Sequence, residues 1–214
     1  MSDQHGLRER KKQRTQQAIS DTAVALFLER GFEKVSVSEI AQRAEVSKPT
    51  LFRYFPAKED MALHRFADHE DEAARVVRAR AAGESPLDAL REHFLRGLAA
   101  RDPVTGLNDH ENVLAFHRLL YLTPSLVARM HAYTNRSEAA LADALVEAAS
   151  KGVPLPGLTA RLAAGQIVAT QRILALDNWR RIADGASADE VCEPAVTAAR
   201  HAFRMLGTGL TGWS

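Results

Sequence analysis

Between Val46 and Met61 the chain reads VSKPTLFRYFPAKEDM, which sets Phe52, Tyr54 and Phe55 among Lys48, Arg53 and Lys58. Cations interleaved with aromatic rings suit either a nucleic acid, whose phosphates and bases they engage, or a core with cation–π pairs. On the first reading, Lys48 and Thr50 donate to base acceptors, the Phe52 ring packs on a thymine methyl, and Tyr54 and Lys58 suit phosphate oxygens. Other candidate chemistry is weaker. His110 and His117 in HENVLAFH lie two helical turns apart, too far for one zinc ion, and Leu114 stands where a H-E-x-x-H motif needs its second histidine. No metal site is expected. The sequence has no G-x-S-x-G, phosphate-binding glycine loop or Cys-x-x-Cys, so neither an enzyme nor a cofactor is expected. Cys192 is the single cysteine, cannot form an intramolecular disulfide, and reads as a small core residue.

The elements that must position these residues are helical. Ala, Leu, Arg and Glu dominate, and neither sustained alternation nor an Asn-Gly or Asp-Gly turn marks a strand, so the fold class is all-α. Ile19, Thr22, Ala23, Leu26 and Phe27 share one face of a helix that begins near Arg10 and stops at Gly31. Ser36-Val37-Ser38-Glu39 predicts a reciprocal capping box, and Ile40, Ala41 and Ala44 turn inward behind it. Glu45-Val46-Ser47 breaks the pattern, and Ser47 caps a second short helix through about Tyr54 with Leu51 and Phe55 as its apolar face. Further helices are expected near 58–82, 86–101, 109–121, 124–150, 159–184 and 188–206, interrupted most clearly by SKGVPLPG at 150–157. Lys+Arg total 28 against 27 Asp+Glu, yet Arg8, Arg10, Lys11, Lys12 and Arg14 face only Asp3 and Glu9 in the opening segment. No apolar run is long enough to span a membrane and no signal-peptide core opens the chain, so a cytoplasmic location is expected.

Two short helices joined by a three-residue turn form a helix-turn-helix, whose second helix enters the major groove of double-stranded DNA. From about Arg10 to Met61 the sequence resembles the DNA-binding domain of the tetracycline repressor (TetR) family. The resemblance rests on ERGF at the end of the first helix and on SVSEIAQRAEVSKPTLFRYFPAKEDM. It implies DNA contacts by Ser36, Lys48, Pro49, Thr50, Phe52, Arg53, Tyr54 and Lys58. Phe52 departs from the tyrosine that the family often carries, so a hydroxyl contact is not expected there. The implied organisation is a disordered basic tail at 1–9, a DNA-binding domain at 10–57 and a ligand-binding and dimerisation domain at 58–214, with the helix from Lys58 to about Ala82 linking the two.

The remaining residues fit that implication more loosely. Ala195, Ala198, Ala199 and Ala202 form a small-residue stripe, and Leu162, Gly165, Ala169, Ile173 and Leu176 form another. Paired across two chains they would make a four-helix homodimer interface; within one chain they would make a packed hairpin. Candidate effector-pocket residues are Phe94, Leu98, Phe116, His117, Leu120, Tyr121, Met130 and Tyr133, with Asn178 and Trp179 as polar handles. They suit a small hydrophobic effector, and resemblance of the C-terminal half to relatives binding acyl-CoA-like molecules points the same way. The implied function is a ligand-responsive transcriptional repressor on a palindromic operator. The alternatives are an effector-independent DNA-binding protein and a helical small-molecule binder without DNA function.

Overall fold

Serine caps set four of the described helix starts. The computed structural model describes residues 2–67, 69–149 and 155–209, and among them the regular structure is helical. The helices are α1 (Ser2–Arg30), α2 (Val37–Arg43), α3 (Lys48–Tyr54), α4 (Lys58–Ala67), α5 (Glu72–Ala79), α6 (Pro86–Ala99), α7 (Glu111–Leu122), α8 (Pro124–Ala149), α9 (Gly157–Ala183) and α10 (Ala188–Thr208), with a short 3-10 turn at Pro103–Thr105. Ser85 accepts the Asp88 amide ahead of Pro86, and Ser187 forms a complete capping box with Glu190. None of the described helices is long and apolar enough to cross a membrane.

Three boundaries differ from those read in the sequence. Helix α1 starts at Ser2, so the segment expected as a disordered tail is helical in its backbone from there on; its run of Arg, Glu, Lys and Gln favours helix. The expected helix over 58–82 is two helices, α4 and α5, separated by a turn. The sequence DHEDE at 68–72 explains the break: acids three and four apart repel along a continuous helix but are favourable in the first turn of a new one. A single helix from Lys58 to Ala82 therefore cannot be the link. The loop expected at 150–157 lies largely outside the described residues, and α9 begins at Gly157.

The chain divides into two compact units, Met1–Asp68 with Ala115–Ala132, and His69–Leu114 with Tyr133–Ser214. In the first, α1 packs on α2 and α4 through Ile19, Ala23, Phe27, Ile40 and Met61, all buried. The buried Ser20 hydroxyl donates to the Met61 carbonyl at 2.8 Å, which ties α1 to α4. The division differs from a boundary at 57/58, because α4 packs on α1 and takes part of α7 and α8 with it.

In the second unit α10 packs against α6 and α9, with Leu90, Phe94, Leu98, Ala195, Ala199 and Phe203 in one core. The loop before α7 is wired into this unit. Arg101 donates to the Ala188 carbonyl at 2.7 Å and to Asp189, Asp109 accepts the Ala188 amide at 2.8 Å, and Asn178 donates to the Thr105 carbonyl at 3.0 Å. Gly106 has φ 72°, and a Cβ there would lie 1.9 Å from the Ala175 carbonyl oxygen. Gly106→Ala is expected to lower stability by about 3 kcal/mol or more, from clash and backbone strain together. Gly185→Ala, at φ 106° with open space around it, should cost only about 1–2 kcal/mol; urea unfolding of both variants makes the comparison.

Candidate functional site

The α2–turn–α3 unit is built from locally satisfied backbone groups. Ser36 accepts the Glu39 amide at 3.2 Å, but the Glu39 carboxylate pairs with Arg30 of α1. The cap is therefore one-sided rather than the expected reciprocal box. At the other end of α2, the Glu45 amide bonds Gln42 at 3.2 Å and the Val46 amide bonds Ala41 at 2.9 Å, a Schellman closure that places Glu45 in the left-handed region at φ 54°. Ser47 then accepts the Thr50 amide at 3.2 Å, and the two hydroxyls lie 2.8 Å apart.

With both ends fixed, α3 has two distinct faces. Leu51 and Phe55 are buried, while Lys48, Pro49, Phe52 and Arg53 are exposed; Phe52 is 47% accessible, unusual for a ring of this size on a short helix. Tyr54 is half-buried, and the Arg53 guanidinium lies 5.6 Å from its ring centroid. Thr50 is half-buried as well, and its hydroxyl already shares a hydrogen bond with Ser47.

Lys58 is placed differently from the phosphate-facing role read in the sequence. Its ammonium donates to the Phe32 carbonyl and lies 4.1 Å from the Phe32 ring centroid and 5.5 Å from that of Phe27. A carbonyl and two rings hold the charge inward, clamping α4 against the end of α1.

The ten effector-pocket candidates divide evenly between the two units. In the first, Phe116 stacks on Phe66 with centroids 6.0 Å apart, Leu120 is fully buried, Tyr121 and Met130 are half-buried, and His117 packs beside Tyr121. In the second, Phe94 and Leu98 belong to the core, Tyr133 lies under the Arg136 guanidinium, Trp179 is buried, and Asn178 serves the Thr105 carbonyl. Asn178 is thus a structural support rather than a free polar handle. His110 is exposed, and its ring accepts the Asn112 amide at the start of α7. Among the described residues no group of three or more His, Cys, Asp or Glu side chains is placed to hold a metal ion.

Two polar arrangements carried no sequence signal. Asp60 takes a bidentate fork from Arg129, and Glu72 lies 2.7 Å from a ring nitrogen of His69 and 3.0 Å from one of His93. The hydrogen bonds with His69 and His93 hold the Glu72 carboxyl well below its usual range. Arg129 and His93 lie on other helices than the carboxylates they meet, so no local spacing announces those pairings, whereas His69 stands three residues before Glu72.

A helix-turn-helix with an exposed, basic second helix is the arrangement by which one class of DNA-binding regulators reads the major groove. Residues 19–64 match the family model described as bacterial regulatory proteins, tetR family. The regulator TcmR of Streptomyces glaucescens is 37% identical over 134 residues, covering 62% of this chain and 58% of TcmR. The chain thus aligns with little more than half the length of that relative. Among solved structures, NalD, the secondary repressor of the MexAB-OprM multidrug efflux pump in Pseudomonas aeruginosa, superposes with TM-score 0.56 at 20% identity, over 89% of this chain and 97% of NalD. FadR from Bacillus subtilis in complex with stearoyl-CoA gives 0.54 at 20% identity, over 90% and 98%. Residues 19–64 thus match the DNA-binding region of the TetR family, and the remainder of the chain shares the helical fold of the solved TetR-family regulators.

His117 supplies a test of the first unit's interior. It is 3% exposed, its Nδ1 has no hydrogen-bond partner among the described residues, and desolvation by burial pushes its pKa down to about 4. The neutral form is the one the fold accepts. Its contribution is complete above the unfolded value near 6.5 and is lost as pH falls from there toward 4. Relative to His117→Leu, the wild type should lose up to roughly 3 kcal/mol across that window, measured by urea unfolding of both proteins at pH 7.5, 5.5 and 4.5.

Proposed function

We propose that this protein is a ligand-responsive, sequence-specific transcriptional repressor that binds a palindromic operator as a homodimer and is released by a small hydrophobic effector of the acyl-CoA type. The observation that carries the reading is the outer face of α3: Lys48, Pro49, Phe52 and Arg53 exposed on a helix whose inner face is locked by Leu51 and Phe55. Lys48, at the start of the helix, donates to base acceptors, and Phe52 packs on a thymine methyl. Ser36, Thr50, Arg53 and Tyr54 meet the backbone or flanking bases, and the amides at the starts of α2 and α3 add donors for phosphate. Lys58 acts from within, holding the α4 corner. The net charge of +1 gives no broad basic surface, which disfavours unspecific compaction.

Dimerisation is supported by α9. Leu158, Leu162 and Ile173 are 68%, 58% and 58% exposed, and with Gly165 and Ala169 they follow a helical stripe that a second copy would cover. The α10 stripe contributes less, since Ala195 and Ala199 are already buried in the monomer's own core. A twofold dimer reads half-sites about one helical turn apart, roughly 34–36 Å. The effector reading draws on the apolar side chains of α6 to α8 and on the acyl-CoA bound in the FadR structure.

Lys48→Ala should cost about 1–3 kcal/mol on the preferred duplex and relax the preference at one base position, whereas Tyr54→Phe should weaken all duplexes evenly by about 1 kcal/mol. Selection of bound sequences from a random duplex pool, followed by titration, measures both; unchanged preference with Lys48→Ala removes α3 as the reading helix. Leu162→Glu with Ile173→Glu should convert a dimer to a monomer in sedimentation analysis and abolish operator binding at nanomolar protein, while the helical circular dichroism signal persists.

A further inference from the structure

Asp60 lies in the first turn of α4, is only 8% exposed, and has both carboxylate oxygens engaged. Its Oδ2 accepts the Ala57 amide at 3.1 Å, which closes the start of the helix. Arg129 of α8 donates to the same carboxylate in a fork, from Nε to Oδ1 at 2.7 Å and from a terminal nitrogen to Oδ2 at 2.9 Å. Near the other end of α4, Phe66 stacks on Phe116 of α7, and the Arg65 guanidinium lies 5.6 Å from the Phe116 ring centroid. Within the first compact unit, α4 is therefore held near both ends by the segment Ala115–Ala132.

The first turn of α4 and the last turn of α3 are separated only by Phe55, Pro56 and Ala57. Phe55 is buried, the Pro56 ring fixes its own backbone angle, and the Ala57 amide is bonded to Asp60. Little freedom remains between the two helices, so a shift at Asp60 moves the end of α3. An exposed ion pair would have little hold on such a joint. Here the arginine is 42% exposed, but the carboxylate is largely buried and the planar guanidinium meets it through two parallel bonds, which fixes orientation as well as distance.

We propose that Arg129, acting through Asp60, is a positioning residue for DNA reading: it sets the place of α4 and hence the fit of Lys48, Phe52 and Arg53 to base edges, without touching nucleic acid itself. The proposal rests on the DNA-binding reading above. It separates sequence discrimination, which needs α3 held within tight limits, from general affinity, which needs only cations near phosphates.

The test compares wild type with Arg129→Gln, Arg129→Lys and Asp60→Asn on two duplexes, one selected by the wild type from a random pool and one with the same bases scrambled. Asparagine at position 60 keeps an acceptor for the Ala57 amide and loses the charged fork. Arg129→Gln and Asp60→Asn should each weaken binding to the selected duplex about tenfold, the size of coupling within one hydrogen-bonded network. Affinity for the scrambled duplex should stay within about twofold, and Arg129→Lys should recover part of the discrimination. If both duplexes weaken by one factor that follows the loss in melting temperature, the pair only stabilises the fold and the proposal is overturned. It is equally overturned if the variants discriminate as well as the wild type. A wild type that selects no sequence at all would instead remove the DNA-binding reading, and this inference with it.

Discussion

The closure between α2 and α3 governs what the first unit can present. Three consecutive residues, Ala44, Glu45 and Val46, end one helix and aim the next, and they do so by placing their amides on carbonyls of α2. Glu45 takes the left-handed conformation at φ 54° although it has a side chain, at a cost of about 1–2 kcal/mol that surrounding bonds must offset. They do: the Val46 amide reaches back to Ala41, and Ser47 immediately caps α3. With the angle between the two helices set, Leu51 and Phe55 have one direction in which to bury, and Lys48, Phe52 and Arg53 are left on the opposite face.

Much of this arrangement is written in short-range pattern. Ser36, Ser47, Ser85 and Ser187 each accept the amide three residues on, so four helix starts follow from residue type and spacing alone. The all-helical class and the two faces of α3 were legible for the same reason. What the pattern concealed depends on distant partners. Glu39 is positioned to complete a capping box, but Arg30 competes for its carboxylate. Lys58 stands in a basic stretch, yet the carbonyl and ring of Phe32 draw it inward across 26 residues of sequence. Asn178 looks like a polar handle in an apolar helix until the Thr105 carbonyl, 73 residues away, is seen to occupy it. The break between α4 and α5 was hidden for another reason: DHEDE holds neither Gly nor Pro to announce a stop, and only the spacing of its acids speaks against a continuous helix.

The second unit meets a different constraint. The loop between α6 and α7 must lie close against α9 and α10, where an unpaired backbone group would be costly to bury. Its polar groups are matched one by one, with Arg101 on Ala188 and Asp189, Asp109 on the Ala188 amide, Asn108 on the Arg101 carbonyl and Asn178 on Thr105. Gly106 permits the approach by having no Cβ to meet the Ala175 carbonyl. Small residues on α10 serve the same end, since Ala195 and Ala199 pack into the core formed with α6 and α9. The small-residue stripe that looks like an interface in the sequence is therefore partly the interior of the monomer.

Helix α9, by contrast, leaves three large aliphatic side chains more than half exposed, and the distinction has a physical basis. A small residue in a helix stripe is ambiguous, because close helix approach is useful within a chain and between chains alike. A large aliphatic residue left more than half exposed is less so: burying a leucine or isoleucine is worth about 1.5–3 kcal/mol, and a folded monomer gains nothing by leaving several on one face. Leu158, Leu162 and Ile173 stay outside although Ala160, Ala164 and Ile167 on the same helix turn inward. The helix is thus apolar on two sides, one used by its own core and one available to a second copy, and that doubled pattern, rather than the alanines of α10, is the stronger physical argument for a homodimer.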